Sequence, residues 1–88
     1  NQIEIKNIEF SLYPNPFTDR MTLVCDKPYS RLELSISNTL GALVYQKSFQ
    51  NVQANTLIEI DVQAFHSGMY FMNVSSPSAF ISIPIIKK

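Results

Sequence analysis

The side chains of this 88-residue chain that could do acid–base or nucleophilic chemistry are few, and their spacing does not suit it. His66 is the single histidine, and Ser67 is its direct neighbour in a turn-like segment. Nucleophilic catalysis needs a base within hydrogen-bond reach of the nucleophile and a third group that orients this base. Adjacent residues rarely form such a pair. We therefore expect a solvated turn histidine, no catalytic residues and no enzyme activity.

Metal and cofactor chemistry is equally poorly supported. One histidine, one cysteine and dispersed carboxylates give neither zinc-ligand spacing nor an EF-hand pattern. The chain has two glycines, Gly41 and Gly68, which is too few for a glycine-rich phosphate loop. The sequence predicts no metal site and no cofactor-binding residues.

The single cysteine, Cys25, excludes an internal disulfide. It has the same alternation phase as Met21 and Leu23, which places all three side chains on one face of a strand. Free cysteine often behaves as a small hydrophobic residue. We expect a buried and inert thiol.

Composition restricts the class of protein. Apolar residues make up 45% of the chain and charged residues 16%, which favours a packed core over disorder. Seven basic and seven acidic side chains are scattered singly, so a nucleic-acid partner is not expected. No apolar run approaches the roughly 20 residues of a transmembrane helix. We expect one domain over residues 1–88, part of a longer protein, with residues 1–7 as a candidate linker.

Alternating hydrophobicity predicts β-strands. Leu32, Leu34 and Ile36 share one face of a segment whose other face is polar, and residues 58–62 repeat this pattern. Turn-forming residues recur about every 8–12 positions, as in a sandwich or barrel. The sequence therefore predicts an all-β fold of about seven short antiparallel strands.

Several segments carry less regular signals. Residues 43–45 and 69–74 are apolar at both alternating positions, which favours central strands or strands with a covered outer face. Asn38 and Gly41 frame a turn that should pair residues 31–37 with 42–49. A single helical turn is expected at residues 62–66, and a change of phase near Lys6 predicts a bulge or break.

The tetrapeptide Tyr13-Pro14-Asn15-Pro16 is the most unusual segment. Two prolines fix φ at two positions and remove two backbone donors, which predicts a rigid corner or a protruding hook. Together with the turn block ending in Gly41, the segment at residues 67–71 and the lysine-ended C-terminus, it resembles the type A C-terminal sorting domain of the Por, or type IX, secretion system of Bacteroidota. The similarity extends from Phe10 to Lys88.

The resemblance implies a seven-stranded immunoglobulin-like sandwich that acts as a non-catalytic C-terminal secretion signal. Such domains take an attached cargo protein from the periplasm through the outer-membrane translocon, and a membrane shuttle protein receives it. A sortase-like cell-surface peptidase then usually removes the domain and joins the cargo to an anionic lipopolysaccharide. Cleavage is expected upstream of Asn1 or within the first few residues, and the cargo ends at the cell surface or outside the cell.

The positions that match the family motifs are the candidate sorting residues. They are Tyr13, Pro14, Asn15, Pro16, Gly41, Gly68, Tyr70, Ile85, Ile86, Lys87 and Lys88. We expect Gly41, Gly68 and Tyr70 to serve mainly folding. Pro84 cannot donate to a ladder, so the last strand should be an edge strand or stop there. Residues 85–88 are then expected to form an exposed tail for a partner, and replacing Lys87 and Lys88 by alanine should leave folding intact and impair export.

The alternative interpretation is an accessory immunoglobulin-like or glycan-binding module of an extracellular enzyme. Sugar sites usually use exposed aromatic side chains, and Tyr29 and Phe80 are the candidates in a chain without tryptophan. Edge strands and the isoleucine-rich end are also compatible with dimerisation by strand pairing or swapping.

Overall fold

The alternating segments form two packed antiparallel sheets in the computed structural model, which describes residues 10–77 and 79–88. The strands of the described chain are β1 (Phe10–Tyr13), β2 (Arg20–Cys25), β3 (Tyr29–Asn38), β4 (Leu43–Val52), β5 (Leu57–Asp61), β6 (Gly68–Ser76) and β7 (Ala79–Lys87). One sheet has the order β1-β2-β5 and the other β4-β3-β6-β7. The predicted all-β sandwich of about seven strands is confirmed. The bulge expected near Lys6 and the candidate linker lie outside the described residues.

The core lies between the sheets and uses alternate positions of each strand. On β3, Leu32, Leu34 and Ile36 are fully buried, while Glu33 between them is exposed. Val74, on the neighbouring strand β6, and Ile60, on β5 of the other sheet, belong to the same buried cluster. Burying a side chain of this size contributes about 1.5–3 kcal/mol. The predicted inward faces of these strands are therefore the ones that hold the sheets together.

Cys25 occupies the inward face of β2 with Met21 and Leu23, and all three are fully buried, as predicted. Burial raises the pKa of the Cys25 thiol, and the neighbouring charge of Asp26 raises it further. Both effects disfavour the thiolate, which is the reactive form. The thiol is a packing group.

Two apolar segments have different positions in the four-stranded sheet. β6 is a central strand between β3 and β7, as predicted for residues 69–74. The same prediction was wrong for residues 43–45, because β4 is an edge strand and Leu43 and Val44 are exposed. The physical reason is a register shift opposite Ile36, which sets Leu43 against Ser37 on the outer face.

The predicted turns are present. The amide of Gly41 donates to the carbonyl of Asn38 at 3.0 Å, and the Asn38 side chain accepts from the amides of Leu40 and Ala42. The hairpin therefore joins β3 to β4. A single turn follows β5, in which the amide of Phe65 donates to the carbonyl of Val62 at 3.1 Å.

The last strand continues through Pro84, which pairs with Phe71 on β6. The Pro84 carbonyl accepts a hydrogen bond from Asn15 on the outer side of β7, so the proline nitrogen also faces away from β6. The missing donor thus costs the ladder nothing. β7 is an edge strand, as predicted, but the exposed tail was wrong, because Ile85 and Lys87 are buried.

Candidate functional site

Strand direction brings the four motif segments to one end of the sandwich. Because successive strands run up and down, residues 13–19, 38–44, 62–70 and 84–88 all lie at this end, which we call the motif pole. Register confirms the contact, since Asn38 pairs with Tyr70 and Gly68 pairs with Lys87. The turns at residues 26–28 and 53–56 lie at the opposite end, the far pole. All the candidate sorting residues are therefore brought together.

Asn15 attaches the proline-rich corner to the edge of β7. The amide of Ile86 donates to Asn15 Oδ1 at 3.1 Å, and Asn15 Nδ2 donates to the carbonyl of Pro84 at 3.4 Å. One side-chain amide thereby supplies the donor and acceptor that a neighbouring strand would offer. Both X-Pro bonds of the corner, Tyr13-Pro14 and Asn15-Pro16, are cis. The segment is a clamped corner and not a protruding hook.

Phe17 continues this attachment with its backbone. Its amide donates to the carbonyl of Ile86 at 2.9 Å, and its carbonyl accepts from the amide of Lys88 at 2.9 Å. These two bonds form a parallel bridge to Lys87. The Phe17 side chain is fully buried between the sheets. The end of β7 is therefore covered on its outer side, which protects it from pairing with another strand.

Lys87 is buried, with 8% of its surface exposed, and its ammonium is bound inside the pole. Nζ donates to the carbonyl of Val62 at 3.0 Å and to the carbonyl of Thr18. It also lies 5.9 Å from the centre of the Phe17 ring. A buried charge is costly unless hydrogen bonds replace water, and two carbonyls and a ring face do so here. Lys88, by contrast, is exposed.

An aromatic cluster fills the pole beside this lysine. The centre of the Phe65 ring lies 6.5 Å from that of Phe17, in an edge-to-face arrangement. It lies 5.0 Å from the centre of the Tyr70 ring, in a tilted arrangement. Tyr70 is buried, and its hydroxyl donates to the carbonyl of His66 at 2.8 Å. Gly68 connects this turn to β6 with φ +142, a conformation that residues with a side chain rarely adopt. Gly68 and Tyr70 therefore shape the turn after β5.

The surface of the motif pole is unusually apolar. Of the eight large hydrophobic residues exposed in the described chain, six lie here: Tyr13, Leu40, Leu43, Val44, Met69 and Ile86. A hollow of about 260 Å³ opens between β4 and the turn after β5, lined by Val44, Phe65, His66 and Tyr70 among others. Exposed apolar residues grouped in this way mark interaction surfaces.

Sequence reasoning missed several of these residues. Leu40 is 91% exposed within a predicted turn, and an apolar residue in such a place was an available signal. The position of Phe17 directly after the proline-rich motif was a second available signal. Thr18 and Val62 act through their carbonyls, so their side chains gave no signal.

Neither a metal-binding cluster nor a membrane-spanning helix is found in the described residues. Within residues 10–77 and 79–88, no three His, Cys, Asp or Glu side chains converge as a metal site requires. In the same ranges, no helix has the length and apolar character needed to span a membrane. The motif pole presents exposed apolar residues, and the hydrogen bonds of Asn15 and of the buried Lys87 join its segments.

Comparison with known proteins gives a family and a fold. A family model described as the secretion system C-terminal sorting domain matches residues 11–88. A crystal structure of a DUF3244 family protein from Bacteroides vulgatus ATCC 8482, with an immunoglobulin-like β-sandwich fold, superposes with a TM-score of 0.72. The two chains are 20% identical, and the match covers 97% of this chain and 100% of that chain. No curated protein sequence matches significantly.

The structural match confirms the predicted immunoglobulin-like fold. Since the family model spans nearly the whole sequence, the chain belongs to the type A C-terminal sorting domains of the Por, or type IX, secretion system.

Proposed function

We propose that the motif pole is the surface by which the type IX machinery recognises this domain and exports the protein attached to it. Family membership implies export through the outer membrane to the cell surface or extracellular space. The finer proposal is that an outer-membrane shuttle and the translocon contact the pole while the cargo is in the periplasm. The observation that carries it is the concentration of exposed apolar residues beside the motif segments.

The position of the chain entry supports this assignment. The described chain enters the sandwich at Phe10, which pairs with Cys25 next to the far pole. A protein joined on the N-terminal side would thus approach the sandwich away from the motif pole and leave the apolar surface free for a partner.

The later steps of the proposal concern the segment before Phe10 that joins the cargo to the domain. A sortase-like peptidase at the cell surface would remove the domain there and leave the cargo attached to the cell. Phe10, the first described residue, pairs with Cys25 next to the far pole, so a peptidase that cuts upstream of Phe10 would not compete with the translocon for the motif pole. The domain itself contributes no catalytic group, in keeping with its family and fold.

The test is a fusion of residues 1–88 to the C-terminus of a periplasmic reporter in a Bacteroidota host, with and without a working type IX translocon. Extracellular reporter should depend on the translocon. Leu40→Ser combined with Ile86→Ser changes two exposed residues of the pole and should leave most reporter in the periplasm. Leu57→Ser combined with Phe80→Ser changes two exposed apolar residues elsewhere and serves as the matched control. Equal export of both variants, each shown to be folded, would refute recognition through the pole.

A further inference from the structure

A cleft lies away from the motif pole, between the edge strands of the two sheets. It has a volume of about 460 Å³ and runs between β4 and β5. Small-molecule sites typically occupy about 300–1,000 Å³. Val52 and Ile58, both core residues, form part of its floor. The cleft thus reaches the hydrophobic core at the open side of the sandwich.

The walls of the cleft carry a balanced set of polar groups. Gln50, Asn51 and Gln53 are lining residues and are exposed, and each carries a primary amide that can both donate and accept hydrogen bonds. Lys47 and Glu59 line it with opposite charges, and Glu59 also lies 3.8 Å from Arg20, which is not a lining residue. This chemistry matches a ligand rich in hydroxyl groups and without net charge.

Apolar side chains complete the lining. Phe49 is partly buried against the core, and Leu57, on the opposite strand, is 63% exposed. The CH faces of a sugar ring need apolar contacts of this kind alongside hydrogen bonds to its hydroxyls. A second hollow of about 410 Å³ shares Asn51, Val52 and Gln53 with the cleft, so the site extends along the strand ends. An elongated site favours a chain of sugars over a single ring.

Lys47 argues against the other occupant of an edge cleft, an added β-strand. It pairs with Leu34, whose side chain is buried, so Lys47 faces inward on the edge strand. Its ammonium lies 5.7 Å from the centre of the Phe49 ring. Charged residues that point inward on edge strands oppose pairing with another strand.

We propose that the cleft between β4 and β5 binds a neutral oligosaccharide. Gln50, Asn51 and Gln53 hydrogen-bond its hydroxyls. Phe49 and Leu57 contact the apolar faces of its rings. The site is independent of the motif pole, and it would give the domain a carbohydrate contact in addition to its sorting role.

The experiment titrates the isotope-labelled 88-residue chain with cellohexaose, xylohexaose, mannohexaose and maltohexaose at up to millimolar concentration, followed by nuclear magnetic resonance. At least one sugar should shift the side-chain amide signals of Gln50, Asn51 and Gln53 saturably. Gln50→Ala and Gln53→Ala should each weaken binding about two- to tenfold, the usual effect of losing one hydrogen bond. Gln46→Ala and Gln63→Ala remove exposed glutamines that do not line the cleft, and they should leave the affinity unchanged.

Three results would overturn the proposal. The first is the absence of saturable shifts with all four sugars. The second is binding that shifts signals of the motif pole and is unaffected by the cleft variants. The third is saturable binding of a capped valine–threonine peptide in the cleft, with backbone shifts along β4, which would show a strand-binding edge instead.

Discussion

The ammonium of Lys87 lies 3.0 Å from the carbonyl oxygen of Val62, which joins the end of β7 in one sheet to the turn after β5 in the other. A second bond to the carbonyl of Thr18 extends this link to the segment before β2. One side chain near the C-terminus thus closes the motif pole across both sheets. Its charge is used inside the fold and is not displayed to a partner.

Replacing Lys87 by alanine should therefore destabilise the domain. The change removes a packed aliphatic stem and leaves two carbonyls without a donor, at a cost of about 2–4 kcal/mol. Urea denaturation measures the free energy of unfolding. Lys88→Ala is the matched control, because Lys88 is exposed and surface changes stay within about 0.5 kcal/mol. Equal stability of the two variants would contradict the structural role of Lys87 and restore the idea of a dispensable lysine pair.

The two hydrogen bonds between the Asn15 side chain and β7 should control local opening of this strand. Asn15→Ala removes the acceptor of the Ile86 amide and the donor to the Pro84 carbonyl, so hydrogen exchange at the Ile86 amide should accelerate. The global free energy of unfolding should fall by about 1 kcal/mol.

The discriminating variant is Asn15→Asp. A carboxylate keeps the acceptor for the Ile86 amide and loses only the donor to Pro84, so exchange at Ile86 should stay slow. The amide of Phe17, which bonds to the Ile86 carbonyl, reports on the bridge itself. An Ile86 amide that exchanges equally fast in the parent and in both variants would mean that the Asn15 side chain does not hold the end of β7.

Much of the fold could be predicted from sequence because a strand repeats every two residues. The phase of Leu34 or Ile60 alone determines which face is buried, and the Asn38 side chain determines the hairpin. The order of the strands within each sheet was harder to predict from the sequence. The run at residues 43–45 is apolar in both phases, yet its sequence does not reveal that β4 has a neighbour on one side only.

The candidate site was predicted as a set of residues but not as a structure. Lys87 finds its acceptors in Thr18 and Val62, 69 and 25 positions away, and a carbonyl oxygen has no sequence signature. A terminal lysine therefore looked like an exposed charge. The rule that proline belongs on an edge strand gave the correct position for β7. It could not show that Pro84 faces outward or that Asn15 bonds to it.

The two glycines should differ in which substitutions they accept. Gly41 has φ +86, which is near the left-handed region that asparagine tolerates, whereas Gly68 has φ +142, which lies well outside it. A Cβ at either position would have open space for 4 Å beyond its chain neighbours, so backbone strain is the remaining cost. Alanine should cost about 1–2 kcal/mol at Gly41 and about 1–3 kcal/mol at Gly68. Asparagine should recover most of this loss at Gly41 and little at Gly68. Thermal denaturation of the four variants measures the difference, and equal recovery at both sites would count against the argument.

The buried thiol of Cys25 should make stability depend on pH in the alkaline range. Its pKa in the folded state is raised by burial and then by the charge of Asp26. Below the unfolded pKa of about 8.5, both states hold the proton and the contribution to stability is complete. Above it, the unfolded chain loses the proton first, so stability falls as pH rises toward the folded pKa.

Cys25→Ala separates this effect from the rest of the protein. The variant loses packing at every pH, but it lacks the alkaline loss due to the thiol. Its deficit in unfolding free energy relative to the parent should therefore shrink above about pH 8.5. Burial also raises the pKa of Tyr45, and that contribution cancels because both proteins contain it. Urea denaturation at pH 7 to 10 provides the comparison, and iodoacetamide should label the parent only as fast as it unfolds. A deficit that stays constant with pH, together with rapid labelling of the native protein, would show that the thiol is accessible after all.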